Sequence, residues 1–381
     1  MLATILPAGS PRLISRIAVA ISIIQSILLL VHFFIYETWI ALAGVPRQPW
    51  LLLLQISFAI LSVSFLASSL LAHRFFNRPV RTYYRLASIW LGFVNFAFAA
   101  ACLAWIAVGS MIVLNLPFSQ SGIAVFFVGL AVFATLYGLA NAATLRIKRV
   151  TVKLPGLPAS WRGRVAALVT DTHLGHIKGR YFVSRIVTML RQLRADVVFI
   201  SGDMFDGTHV DAPRLVSPWR QLTPKFGSYF VTGNHDEFSD SNGYLSAIRN
   251  SGIRVLNNET VNLDGLQVLG VPYHDSANPE RFRSILANAD LDRSRASVLL
   301  THVPHSLPIP EQQGISLQLS GHTHGGQIFP FTWFTSRIFG AYTYGLRRFG
   351  DLLVYTSSGA GTWGPPLRVC TAPEIVLIHF E

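Results

Sequence analysis

The sequence predicts two regions of different class: an all-α region of four transmembrane helices, followed by an α/β domain built on buried strands. Three observations carry this prediction. Four long apolar runs fill the first part of the chain. Beyond residue 150 they give way to short Val-, Ile- and Leu-rich runs that alternate with polar amphipathic stretches. Across all 381 residues, 51% are hydrophobic and only 13% charged, a mixture that suits membrane segments better than a wholly soluble protein.

The apolar runs cover 13–36, 50–72, 86–108 and 122–143. Each reaches the ~20 residues a helix needs to cross a bilayer core. Four in succession with few internal charges read as spans rather than as buried helices of a soluble core. The connectors set the orientation. Arg12 and Arg16 flank the first run, Arg74, Arg78, Arg81 and Arg85 follow the second, and Arg146, Lys148, Arg149 and Lys153 follow the fourth. The first connector has only Arg47 beside Glu37, and the third has no charge. Alternate connectors are basic, which predicts both ends inside and places everything after residue 150 in the cytoplasm of a multi-pass inner-membrane protein. Ala41-Leu42-Ala43 resembles a signal-peptidase site, but the run before it is too long and the site too far from the start.

The formal charge of +12 divides unevenly. Residues 1–150 hold 10 Lys and Arg against Glu37 alone, giving +9, whereas 151–381 hold 21 against 18 acids, giving +3. The basic excess belongs to the apolar half, where topology explains it, and a nucleic-acid partner is not expected.

The domain plan is a transmembrane region over 1–145, a basic, Pro-containing linker over 146–160, and a soluble domain over 161–381. Buried strands are expected at 165–170, 197–201, 229–232, 268–270, 298–301 and 317–320. Helices are expected at 181–194, 213–222 and 243–250. Later strands at 261–271 and 352–356 lack long intervening helices and fit a second sheet, with a last strand at 374–380. Cys102 and Cys370 lie far apart and build neither a disulfide framework nor a CxxC metal site.

Polar clusters stand just behind five of these strands. They are Asp171-Thr172-His173, Gly202-Asp203-Met204-Phe205-Asp206, Gly233-Asn234-His235-Asp236, His302, and Gly321-His322-Thr323-His324-Gly325-Gly326-Gln327. Open α/β sheets gather ligands at the carboxyl ends of their strands, so the five clusters can converge. Asp and Asn oxygens with imidazole nitrogens suit Mn, Fe or Zn, and no thiolate is available for a structural zinc site. The donors suffice for two ions bridged by one carboxylate and one water, with that water attacking a phosphorus in line.

This ordered set resembles the calcineurin-like metallophosphoesterases over roughly 165–380. Gly325-Gly326-Gln327 and the 361–366 stretch (Gly361-Thr362-Trp363-Gly364-Pro365-Pro366) resemble a bacterial, membrane-associated branch. The resemblance implies an α/β/β/α sandwich with a dinuclear site. By motif position it implies one metal on Asp171, His173, Asp203 and His324, and a second on Asp203, Asn234, His302 and His322, with Asp203 bridging. It implies that His235 acts as an acid toward the leaving oxygen, that Asp236 orients this imidazole, and that Asp206 structures its loop or supports a ligand from behind. Protein phosphatases of the family carry an arginine after the second motif. Here Asp206 is followed by Gly207, Thr208 and His209, which disfavours that class.

The resulting expectation is a membrane-anchored phosphohydrolase acting on a phosphomonoester, phosphodiester or pyrophosphate. Its anchor favours a lipid-linked substrate, and UDP-diacylglucosamine hydrolysis is one example within the resemblance. The alternatives are a non-catalytic membrane sensor or scaffold, disfavoured because every ligand position is filled, and a nuclease. Residues 328–350 mix aromatics with Arg337, Arg347 and Arg348. That mixture suits a membrane interface or a lipid-bearing substrate, and equally a loop packed on the rest of the protein.

Overall fold

The computed structural model describes residues 11–46, 48–237 and 241–381. Arg47 lies outside these residues, as do the side chains of Arg12 and Arg16. The chain divides into two compact units, residues 1–139 with 364–366, and residues 140–363 with 367–381.

The first unit is helical, with α1 (Pro11–Ala43), α2 (Trp50–Ala72), α3 (Arg78–Val113) and α4 (Gln120–Ala143). All four are long and apolar enough to cross a membrane. The third starts at Arg78, ahead of the apolar run, because the Asn77 side chain caps it by accepting from the Val80 N–H at 3.0 Å, and Pro79 fits the first turn. Ala97, Ala100, Ala101 and Ala104 recur three or four residues apart on α3 and are buried, so neighbouring backbones approach closely. Polar groups inside the unit pair with one another: the Trp90 indole N–H donates to His32 Nε2 and that of Trp105 to Thr38 Oγ1, each at 2.9 Å. Ile23, Leu30, Leu53 and Phe126 face outward, as hydrocarbon surroundings require.

The second unit runs β1 (Arg146–Val152), β2 (Val165–Val169), α5 (Arg180–Leu193), β3 (Val197–Ser201), α6 (Ala212–Val216), β4 (Ser228–Val231), α7 (Asn234–Glu237), α8 (Ser241–Arg249) and β5 (Arg254–Val255). It continues with β6 (Glu259–Leu263), β7 (Leu266–Gly270), α9 (Tyr273–Ser276), α10 (Pro279–Ala287), β8 (Ser297–Leu300), α11 (Pro308–Gln312), β9 (Leu317–Ser320), α12 (Phe331–Phe339), β10 (Gly345–Phe349), β11 (Leu352–Thr356) and β12 (Glu374–Phe380). Two six-stranded sheets result, ordered β1-β12-β2-β3-β4-β5 and β10-β11-β9-β8-β7-β6.

Strand parity dictates the layering. Ala166, Leu168, Val197 and Phe199 point to one face of the first sheet and meet Val268, Val298, Leu300 and Leu317 of the second in a shared core. The intervening Ala167, Val169, Val198 and Ile200 point the other way, onto Val183, Ile186 and Leu190 of α5 and onto Ile248 of α8. On the outer face of the second sheet, Leu269 and Leu299 pack on Phe282 and Leu286 of α10 and on Ile309 of α11. Strands buried on both faces explain why their sequences are continuous apolar runs. The result is the α/β/β/α sandwich.

Three expectations are corrected. The 146–160 segment is not a linker throughout, since 146–152 form β1, paired in parallel with β12 from Arg146↔Glu374 to Val152↔Phe380. The 261–271 stretch is not one strand but the β6–β7 hairpin, turned at Asp264-Gly265, both with positive φ (51° and 94°) as a two-residue hairpin turn demands. The helix expected over 213–222 is α6 followed by a 3₁₀ turn at Ser217–Gln221.

Candidate metal centre

Each expected ligand sits just past a strand end. Asp171 and His173 follow β2, Asp203 follows β3, Asn234 opens α7 behind β4, His302 follows β8, and His322 and His324 follow β9. Glycines hold these loops close together. A Cβ on Gly233 would stand 2.1 Å from Asp203 Oδ1, and one on Gly202 would stand 2.4 Å from His302 Nδ1. Asp171, His173, Asp203, His322 and His324 all adopt positive φ (45° to 69°), a conformation that costs a non-glycine residue about 1–2 kcal/mol. Such strain recurs where surrounding structure holds functional groups in place.

The side chains converge in three overlapping groups: Asp171, His173 and His324; His173, Asp203 and His235; and Asp203, His302 and His322. Within each group the ligand atoms lie within 4.8 Å of one another. His173 Nε2 and His324 Nε2 are 3.0 Å apart, His302 Nε2 is 3.1 Å from Asp203 Oδ2, and His322 Nδ1 is 3.3 Å from His302 Nε2. His302 Nδ1 donates to the Ser201 carbonyl at 2.9 Å, which turns its Nε2 toward the site. Backbone donors fix the carboxylates: the His322 N–H reaches Asp171 Oδ1 at 3.0 Å, and the His235 N–H reaches Asp203 Oδ1 at 2.9 Å.

The electrostatics match a cation site. Burial works against the Asp203 charge, yet His302 and His173 overcome it and hold the carboxyl well below its usual range. Burial lifts the Asp171 carboxyl above its ordinary value, against the pull of His302. His302 is desolvated but rises to about 10 because Asp203 and Asp171 face it. His173 is also raised against its burial, by Asp206 and Asp203. Burial and His302 push His322 down to about 3, and burial with the Arg368 guanidinium lowers His324. His322 and His324 therefore offer bare lone pairs, while the proton on His302 compensates the carboxylates where a divalent cation would. The buried amide oxygen of Asn234 takes no hydrogen bond, as a ligand oxygen would not. The donor set thus fits divalent metal ions.

The neighbours of His235 differ from expectation. Asp236 spends its carboxylate on the loop backbone, accepting from Gly233 N–H at 2.9 Å and Phe205 N–H at 3.0 Å. Burial and the Asp203 charge raise its pKa to about 7. Instead, His235 Nδ1 lies 3.2 Å from the Asp206 carbonyl, which can only accept, so that carbonyl sets the ring. The Asp206 carboxylate meanwhile stands 3.4 Å from His173 Nδ1. Burial and the charge on His173 lower the His235 imidazole.

Sequence reasoning missed Arg368. Its guanidinium is fully buried and donates to the carbonyls of His324 (2.8 Å), Ser358 (2.6 Å) and Gly361 (2.7 Å), with His324 Nδ1 at 3.0 Å. Burial pulls its pKa down to about 10, which leaves it charged at neutral pH. Gln327, noted only within its motif, clips the backbone of Trp363 on both sides of its Cα: it donates to the Trp363 carbonyl at 2.8 Å and accepts from the Trp363 N–H at 2.9 Å. The Trp363 ring consequently stands 6.2 Å from that of His235.

Comparison with known proteins agrees with this geometry. The family model for calcineurin-like phosphoesterases matches residues 165–326. An uncharacterized metallophosphoesterase of Campylobacter jejuni is 33% identical over 259 residues, covering 66% of this chain and 68% of that protein. A Danio rerio transmembrane protein with a metallophosphoesterase domain is 33% identical over 262 residues, covering 64% and 59%. An uncharacterized metallophosphoesterase of Helicobacter pylori is 34% identical over 216 residues, covering 56% and 58%. The match therefore spans less than two thirds of the latter two proteins. Four membrane-length helices and a transmembrane relative make the protein membrane-associated. The chain belongs to the calcineurin-like phosphoesterase family, and its class is that of a phosphoester hydrolase.

Proposed function

We propose that the chain is a membrane-anchored phosphohydrolase that uses two divalent metal ions, of Mn, Fe or Zn, to cleave a phosphoester or pyrophosphate bond in a lipid-linked substrate. The observation that carries this reading is the convergence of Asp171, His173, Asp203, His302, His322 and His324 from both sheets within ligand range. Asp171, His173, Asp203 and His324 would hold one ion. Asp203, Asn234, His302 and His322 would hold the other. Bound there, the ions would supply Lewis-acid stabilisation of phosphoryl charge and activation of water.

The remaining chemistry belongs to the chain. His235 has its Nδ1 proton committed to the Asp206 carbonyl, so its imidazolium would offer the Nε2 proton to a leaving oxygen. Burial disfavours that imidazolium, and an anionic phosphate beside the ring would restore it. Asp236 keeps the Gly233 and Phe205 amides in place and so fixes the loop that carries Asn234 and His235. The alternation of basic connectors supports a cytoplasmic side of an inner membrane for the domain.

The test uses detergent-purified full-length protein loaded in turn with Mn, Fe and Zn. It is assayed on a soluble chromogenic diester, on lipid phosphates and on lipid pyrophosphates. Turnover of a lipid-borne substrate is expected. His235→Ala should lose about 10²–10⁴-fold in turnover while its metal content stays at the parent value. Metal-loaded protein that cleaves no phosphoester would sink the hydrolase reading, and cleavage of soluble diesters alone would remove the lipid-linked substrate.

A further inference from the structure

The α12 helix is inverted relative to an ordinary surface helix. Phe331, Trp333, Phe334 and Ile338 are 50–75% exposed, and no residue of α12 is buried. The more sheltered positions are Thr332, Thr335 and Phe339. A helix whose outer face met only water would reverse this pattern. The exposed stripe follows helical spacing, with Phe331, Phe334 and Ile338 at i, i+3 and i+7. It lies beside the metal centre, because the Phe339 ring is 6.1 Å from that of His322. A second exposed aromatic, Trp363, flanks His235.

Charge and tether identify what meets this face. Residues 328–350 contain no Asp or Glu and carry Arg337, Arg347 and Arg348. The Arg337 guanidinium stacks 5.0 Å from the Trp333 ring centroid, keeping its charge next to the apolar stripe. Only Thr144 and Leu145 separate the end of α4 from β1, so a bilayer is always within a short tether of the domain. The four α12 side chains at this exposure offer on the order of 400 Å², about half of the ~800 Å² per partner that a stable protein interface uses. Aromatic and aliphatic side chains rimmed by arginine are the composition that partitions at the headgroup–acyl boundary.

We propose that α12 is a bilayer-docking element. Phe331, Phe334 and Ile338 enter the acyl boundary of an anionic leaflet while Arg337 meets the headgroups, so the metal centre faces phosphoesters presented by lipids. The docking stands on α12 alone; the substrate consequence rests on the hydrolase reading above.

The experiment uses full-length protein in vesicles of phosphatidylethanolamine and phosphatidylglycerol. A nitroxide is placed at Ile338→Cys in a Cys102→Ala/Cys370→Ser background, with Gln192→Cys on α5 as the reference position. Collision rates with oxygen and with a water-soluble nickel chelate are compared. The label at 338 is expected to favour oxygen over nickel by about threefold or more relative to the label at 192. A label at 338 as nickel-accessible as that at 192 overturns the proposal. So does one shielded from both reagents, which would mean that protein, either the chain's own helices or a second copy, covers α12.

A second arm uses the Phe334→Asp/Ile338→Asp double variant. Hydrolysis of a lipid-embedded phosphate ester should fall about tenfold while that of soluble bis(4-nitrophenyl) phosphate stays within about twofold. Equal loss on both substrates overturns the docking role. If the metal-loaded parent hydrolyses neither substrate, the hydrolase reading fails, and the label depth still decides the docking.

Discussion

Gly321→Ala isolates the geometry of the metal centre from the chemistry of its ligands. No ligand is removed, and Gly321 does not occupy the left-handed region, so the added methyl acts by collision alone. Its Cβ would stand 2.2 Å from Asp171 Oδ2 and 2.7 Å from Thr170 Cβ. Ordinary contact begins near 3.4 Å, so the carboxylate oxygen must retreat by about 1.2 Å. It has little room to do so, because Gly359 backs Asp171 so closely that a Cβ there would lie 2.7 Å from Asp171 Cβ. The retreat also breaks the hydrogen bond from the His322 N–H to Asp171. A misplacement of about 1 Å in a catalytic group costs on the order of 10²-fold, or about 2.7 kcal/mol in the barrier. Overpacking adds a stability cost of about 1–3 kcal/mol. The assay pairs metal content per chain with turnover of a soluble diester, and a thermal melt confirms that the variant is folded. A folded variant that keeps the parent's metal content and turns over within about twofold of it would refute the claim that Asp171 is held as a ligand.

Two further predictions probe groups that the sequence did not single out. Arg368→Met leaves the carbonyls of His324, Ser358 and Gly361 without their donor, and should cost about 3–5 kcal/mol in unfolding experiments and about 10–100-fold in metal affinity; Arg368→Lys should not rescue either, because an ammonium lacks the planar fork. Burial raises Glu374 above its ordinary 4.5 although Tyr344, Tyr355 and the Ser358 N–H all donate to it. The folded state thus holds this proton more tightly than the unfolded chain does, and stability falls as pH rises from 4.5 through the raised value. Glu374→Gln should therefore gain in melting temperature over the parent at about pH 8 and show no gain at about pH 4.

The candidate ligands were legible because each follows an apolar strand within four residues, and strand ends are where such groups meet. The membrane helices were legible by length and composition. What escaped depends on contacts distant in sequence. Arg146–Val152 mixes basic with β-branched residues and reads as a solvated linker; its strand character comes from a partner at 374–380 and suits a charged sheet edge. Arg368 looks like any surface cation, and only the carbonyls of residues 324, 358 and 361 reveal why it is inside. In the His235-Asp236 pair, the family resemblance implied that the carboxylate serves the imidazole. Sequence spacing does not show that loop amides claim the carboxylate and that the Asp206 carbonyl takes the ring.

The position of β12 has a consequence for how the domain comes together. It lies between β1 and β2, so the first and last strands of the domain are direct neighbours and the sheet that carries Asp171 has a seam near one edge. Contacts of such long sequence separation close late and slowly. Until residues 374–380 slot in, β1 has no partner and one flank of β2 stays open. The loop holding Asp171 and His173 then hangs from an unfinished sheet, and metal-binding competence becomes one of the last properties the folding chain acquires.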